Sequence, residues 1–89
     1  MTELALPSVF DAAAASDLTP AVRTAAAAGD LQVDGSAVDR IGTPGLQLLL
    51  AAARAVRADG NAFTLTDPSP ALVASLVLAG AHHLLEEAA

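Results

Sequence analysis

A hydroxyl sits where the chain turns from an acidic loop into a Leu-rich helix. Thr43 opens the run Thr43-Pro44-Gly45-Leu46, and the first turn of a helix concentrates unpaired backbone N–H groups and positive partial charge, which favour an anion or a phosphate. The same exposed junction can serve as a contact for another protein. Gly42 and Gly45 flank the hydroxyl and invite a phosphate-cradling reading, but their spacing matches no nucleotide loop and the chain contains no lysine. His82-His83 offers two metal-type ligands. Neighbouring residues on a helix point about 100° apart and no third ligand accompanies them, so a surface or half-buried pair is expected and no metal. Serine, histidine and aspartate all occur, but without the elbow motif that would join them into a nucleophilic site. Asp34 and Asp39 meet the same objection as a carboxylate pair, and are expected to charge the loop edge of a binding surface. No catalytic residue and no cofactor are expected.

The elements that must position Thr43 lie on both sides of it. Upstream, Leu31–Val33 reads as a buried strand between Asp30 and Asp34, followed by Gly35-Ser36 and a connection over Ala37–Ile41. Val38 and Ile41 tuck inward in this reading while Asp39 and Arg40 stay wet. From Thr43, which reads as the N-cap, Leu46, Leu49, Leu50, Ala53 and Val56 recur at helical spacing and form a core face. Arg54 and Arg57 lie in the last turns, where cations favour the dipole. The opposite side carries Leu48, Ala51, Ala52 and Ala55, a small-residue patch suited to receiving a partner helix.

The outer elements follow from the same signals. Thr2–Leu6 alternates as a short strand stopped by Pro7, and Ser8-Val9-Phe10 is a second short extended piece. Ala12–Ser16 is helix-prone, but Pro20 predicts a break near Asp17-Leu18-Thr19, with a helix from Pro20 to Ala28 capped by Thr19 or Asp17 and stopped by Gly29. After Asp59-Gly60, Asn61–Thr66 reads as a strand with Phe63 and Leu65 on one side. Asp67-Pro68-Ser69-Pro70 then turns into a helix over Ala71–Ala79, capped by Ser69 and stopped by Gly80, with Leu72, Val73, Leu76 and Val77 on its apolar side. Ala81–Ala88 reads as a last helix, frayed because Glu86 and Glu87 oppose the dipole. The order predicts an α/β fold with right-handed crossovers, a small mixed β-sheet of about four short strands covered mainly on one face by about four helices.

Composition narrows the function classes. The chain is 89 residues long, enough for one core and hence one domain over residues 1–89. No cysteine is present, which excludes a disulfide framework and favours a reducing compartment, so a cytoplasmic protein is expected. The formal charge of −6 argues against nucleic acid and against an anionic membrane surface. Mean hydropathy is positive, but polar or breaking residues interrupt every apolar run before the roughly 20 residues a spanning helix needs. The N-terminus shows no basic leader with a continuous apolar stretch, so no export is expected. With two Phe and no Trp or Tyr, no aromatic cage or base-stacking platform is available.

Leu31–Val33, Gly42-Thr43-Pro44-Gly45-Leu46, Gly60, Phe63–Leu65 and Asp67-Pro68-Ser69 together resemble the STAS domain, the fold shared by anti-sigma factor antagonists, the C-terminal parts of sulfate transporters and small bacterial regulators. A weaker likeness extends over Leu4–Asp11. The resemblance implies a non-enzymatic protein-interaction module. In phospho-switch members a kinase-like anti-sigma factor phosphorylates the Ser or Thr that follows an Asp, and Thr43 occupies that position. Gly42 stands where the family carries that Asp, and Pro44 where it carries a hydroxyl or small residue. Ala37-Val38-Asp39-Arg40-Ile41-Gly42 and Leu46-Gln47 resemble the short STAS proteins of bacterial chemotaxis systems. Small stand-alone members that bind the ATPase of a phospholipid-trafficking ABC transporter also carry a Thr here. The partner-binding residues expected from the residues and the resemblance together are Asp39, Arg40, Gly42, Thr43, Pro44, Gln47, Leu48 and Ala51, with Thr43 the phosphoacceptor candidate. The expected partners are an anti-sigma factor or other histidine-kinase-like signalling protein, a transporter ATPase, or a second copy of the chain as a homodimer.

Overall fold

A computed structural model describes residues 2–81 and 83–84. Alternating side chains set the strands. β1 (Thr2–Ala5), β3 (Leu31–Asp34) and β5 (Phe63–Thr66) form a three-stranded sheet in the order β1-β3-β5. Every pairing is parallel, with Thr2 opposite Leu31 and Leu31 opposite Phe63. Period-two alternation then puts Leu4, Leu31, Val33, Phe63 and Leu65 on one face and Glu3, Gln32, Asp34, Thr64 and Thr66 on the other. The first set is buried except for half-buried Leu4, whereas the second set is partly or fully open. The helices therefore cover one face of a small α/β sheet.

The parallel arrangement follows from chain order. Each neighbouring pair in the sheet is joined through a helix, α1 (Ala12–Ala27) between β1 and β3 and α2 (Thr43–Ala58) between β3 and β5. Among the described residues no hairpin makes an antiparallel pair. A second, two-stranded parallel ribbon joins β2 (Val9–Phe10) to β4 (Arg40–Ile41), with Val9 opposite Arg40 and Phe10 opposite Ile41. The stretch expected to be a plain connection thus ends in a strand. α3 (Pro70–Leu78) follows β5 and buries Leu72 and Leu76.

Three local expectations are corrected. First, α1 does not break at Asp17-Leu18-Thr19 and is not capped by Asp17 or Thr19; it runs continuously from an Asp11 N-cap, with Pro20 inside it. The Asp11 carboxylate accepts from the Ala14 N–H at 3.0 Å, which supplies the start signal, and the exposed Pro20 ring forfeits one backbone hydrogen bond without ending the helix. Second, α2 is rotated from the expected face. Gly45, Leu49, Ala52, Ala53 and Val56 are buried, while Leu46 and Leu50 are only half-buried. Ala52 was expected outside, but α1 packs along α2 more extensively than any other pair of elements and turns the alanine side inward. Third, Val73 and Val77 do not complete an apolar side of α3: Val73 is half-buried and Val77 is 54% exposed.

The core joins Phe10, Leu31, Val33, Val38, Val56, Leu65, Leu72, Leu76 and Leu84 at almost no exposure. Burying each Leu, Val or Phe side chain stabilises by about 1.5–3 kcal/mol, so this one cluster supplies most of the driving force. Gly29 and Gly60 adopt φ +120° and +77°, the left-handed conformation that stops α1 and α2. Of the last helix expected over Ala81–Ala88, Ala81 and Leu84 are buried core residues, and residues 82 and 85–88 lie outside the described residues.

Candidate functional site

The loop that carries the site is stitched to Ser8 and to β2. The Asp39 and Arg40 N–H groups both donate to the Ser8 carbonyl, at 2.7 and 3.1 Å, and the Gly42 N–H donates to the Phe10 carbonyl at 3.0 Å. α2 then starts at Gly42, whose backbone is extended (φ −98°, ψ 174°) and whose carbonyl accepts from the Leu46 N–H at 3.1 Å. Gly42, not Thr43, is the N-cap, and no side chain caps this end. The extended backbone that qualifies a residue as N-cap falls one position earlier than the hydroxyl suggested. Thr43 and Pro44 are the first two helical residues, both exposed. The Thr43 hydroxyl makes no hydrogen bond to another described residue.

Gly45 is where α2 presses on β2. A Cβ there would lie 2.9 Å from the Phe10 carbonyl oxygen and 3.1 Å from both Ile41 Cγ1 and Phe10 Cδ2. The glycine therefore fixes how closely the helix start sits on the strand ribbon.

The other end of the loop is also clamped. Asp34 accepts from the Ser36 N–H at 2.9 Å, and that bond, with a further one from the Ser36 side chain, lowers the Asp34 carboxyl below its ordinary value. Ser69, the N-cap of α3, accepts from the Leu72 N–H at 3.1 Å and donates to the Val38 carbonyl at 2.5 Å. Val38 is buried, as its apolar character predicted, while Ile41 is half-buried.

The expected partner-binding residues are open to solvent to different degrees. Asp39, Arg40, Thr43, Pro44, Gln47 and Ala51 are exposed, and Gly42 and Leu48 are half-buried. Thr43, Gln47 and Ala51 share a helix face by their spacing of four. Arg40 and Gly42 line a shallow depression of about 230 Å³ with Val9, Asp11 and Ile41. Asp11 already supplies negative charge to the start of α1 in this depression, so a free anion gains less there than an isolated helix end would offer.

Leu48 and Ala51 continue into an apolar groove of about 370 Å³ between the two long helices, where Val22, Ala26, Ala52 and Ala55 are their neighbours. Sequence reasoning missed the α1 side of this groove. The signal was present in Thr19, Val22, Arg23 and Ala26 at helical spacing, but the break expected at Asp17-Leu18-Thr19 left Thr19 outside the helix interior, and alanines on every side of Pro20–Ala28 mark no single packing face.

Among the described residues no group of three His, Cys, Asp or Glu could hold a metal ion. His83 is exposed, and His82 lies outside the described residues. No described helix is long and apolar enough to cross a membrane.

Residues 1–86 match the family model described as "Mlab, STAS domain". No curated protein matches the chain.

Proposed function

Since the chain belongs to the STAS domain family, whose members are regulatory and protein-interaction modules, we propose that it binds a signalling partner through the start of α2. The interface comprises Asp39, Arg40, Gly42, Thr43, Pro44, Gln47, Leu48 and Ala51. The partner class is an anti-sigma factor or another histidine-kinase-like protein of chemotaxis type, met in the cytoplasm, and the role is that of an adaptor or antagonist without catalysis. One observation carries this reading: an exposed threonine hydroxyl with no hydrogen bond to another described residue heads a helix whose approach loop is held by two backbone bonds to Ser8 and one to Phe10 of β2. A surface so fixed loses little conformational entropy on docking.

Phosphorylation of Thr43 adds about 1.5–2 negative charges at a helix N-terminus. The helix N–H groups favour the charge within the folded chain, while a docked partner meets it as a repulsive, strongly hydrated group. The modification is therefore proposed to release the partner.

A second reading, an accessory subunit of the ATPase of a phospholipid-trafficking ABC transporter, uses the same surface. The groove at Leu48 and Ala51 favours it, because contact that continues into apolar surface depends on shape more than on a charge switch.

The test is a pull-down from the source organism with the wild type and Thr43→Glu, with captured proteins identified by mass spectrometry. Loss of a signalling protein with Thr43→Glu supports the first reading. Loss of a transporter ATPase supports the second, and equal recovery of every partner refutes a Thr43-centred interface.

A further inference from the structure

We infer that Ser69 is a positioning residue for the partner-binding loop, in addition to being the N-cap of α3. Two functions are combined in one hydroxyl. As a cap it accepts from the Leu72 N–H at 3.1 Å, which satisfies one orphan donor of the helix. As a clamp it donates to the Val38 carbonyl at 2.5 Å, 31 residues away in sequence. A cap needs only the first bond.

The surroundings make the second bond consequential. Ser69 is the one buried polar residue among the described residues, 9% exposed, so the Val38 carbonyl it serves has little access to water as a substitute partner. The Ser69 N–H donates to the Gly35 carbonyl at 3.1 Å, and the Gly35 N–H donates to the Thr66 carbonyl at 3.0 Å. Gly35 also admits Leu72 closely, since a Cβ there would sit 2.5 Å from Leu72 Cδ2. The Gly35–Val38 segment is thus docked at both ends on the turn that enters α3.

Asp39 and Arg40 follow immediately. Their N–H groups share a single acceptor, the Ser8 carbonyl, and their side chains are exposed. With the Val38 carbonyl held by Ser69, the peptide that begins at Val38 delivers the Asp39 N–H to Ser8 in a fixed orientation. Without it, that peptide is held only through its N–H to the Ser8 carbonyl, and its carbonyl end is free to rotate. Ser69 therefore governs how the loop presents Asp39 and Arg40.

This inference rests on the assignment of Asp39 and Arg40 to the interface, but its test needs no partner. Amide hydrogen exchange by NMR is measured on the wild type, Ser69→Ala and Ser69→Thr. In Ser69→Ala the Asp39 and Arg40 amides are expected to exchange at least tenfold faster relative to Val33 and Leu65 in the core, with Ser69→Thr restoring wild-type protection. Acceleration confined to Leu72 and Val73 overturns the inference, because it leaves Ser69 a cap alone. Uniform acceleration over the whole chain overturns it too, as does a failure of threonine to restore. If Ser69→Ala does not hold the fold, Ser69→Cys, which leaves a slightly larger side chain in place and weakens both bonds, carries the same comparison. The Thr43→Glu pull-down tests the interface and the exchange comparison tests the clamp, so the two claims fail separately.

Discussion

Replacing Gly45 by alanine sets two opposing effects against each other at the start of α2. Alanine is the better helix former, and the exchange would stabilise an unobstructed helix interior by about 0.5–1 kcal/mol. Here the new methyl meets the Phe10 carbonyl oxygen at 2.9 Å, with Ile41 Cγ1 and Phe10 Cδ2 at 3.1 Å. The oxygen cannot swing aside freely, because it accepts the Gly42 N–H at 3.0 Å. Either the helix start lifts by a few tenths of an ångström or that bond lengthens. Overpacking of this kind costs about 1–3 kcal/mol, and a weakened hydrogen bond about 1 kcal/mol more. The net expectation is destabilisation by about 1–3 kcal/mol. At about 4–8 °C per kcal/mol for a domain of this size, the midpoint of thermal unfolding falls by at least several degrees. Urea unfolding followed by circular dichroism measures the change, with Gly42→Ala as control, since a Cβ at Gly42 meets only Pro44 Cδ at 3.7 Å. A Gly45→Ala protein as stable as the wild type, or more so, would show that helix propensity outweighs the close approach, and the proposed seating of α2 on β2 would be wrong.

Other perturbations separate local from tertiary effects. Pro20→Ala restores a backbone donor inside α1 at an exposed site and should stabilise by about 2 kcal/mol, read as a higher urea midpoint; an unchanged midpoint would mean that the ring costs α1 nothing. Gly42→Ser places an oxygen within reach of the Gly45 N–H at an end that has no side-chain cap, and a gain of a few tenths of a kcal/mol is expected in the same assay; a loss would contradict the open geometry there. The Asp34 carboxyl lies below its ordinary value of 3.8 because it accepts the Ser36 N–H and a second bond from the Ser36 side chain. The stabilisation that its charged form provides is therefore complete above that value, declines below it, and is gone once the pH has passed under the folded pKa. Wild type and Asp34→Ala should differ most in urea midpoint at pH 6–7, with the difference shrinking as the pH falls below 3.8, and a difference that does not change with pH refutes the link.

Much of the architecture was written in local signals. The alternation in Leu31–Asp34 and Phe63–Thr66, the Ser69 cap with Pro70 behind it, and the glycines after α1 and α2 each have a short-range cause, and each stands where its residues put it. Three features were not local. Pro20 is tolerated because Asp11 nucleates the helix a full two turns earlier, a balance that a single breaker residue does not reveal. The strand at Arg40–Ile41 is two residues long and exists only through Val9 and Phe10. Ala52 turns inward because a second alanine-rich helix lies against it, and alanine suits either side of a helix equally well. At the site, the hydroxyl and the helix start were legible from Thr43-Pro44-Gly45. The neighbouring surface on α1 was not, since alanines on every side of that helix mark no single packing face.

The all-parallel strand arrangement also has a kinetic consequence. Thr2 pairs with Leu31, and Leu31 with Phe63, so no strand finds a partner until roughly thirty further residues have been placed. Folding must begin with helix formation and side-chain collapse, and the sheet closes afterwards as a set of distant loop closures. During synthesis β1 would wait unpaired until β3 has emerged, and β3 in turn until β5 has. For so short a chain this is a slow topology, and slow folding leaves the edges of β1 and β5 open to other chains for longer than a hairpin-built sheet would.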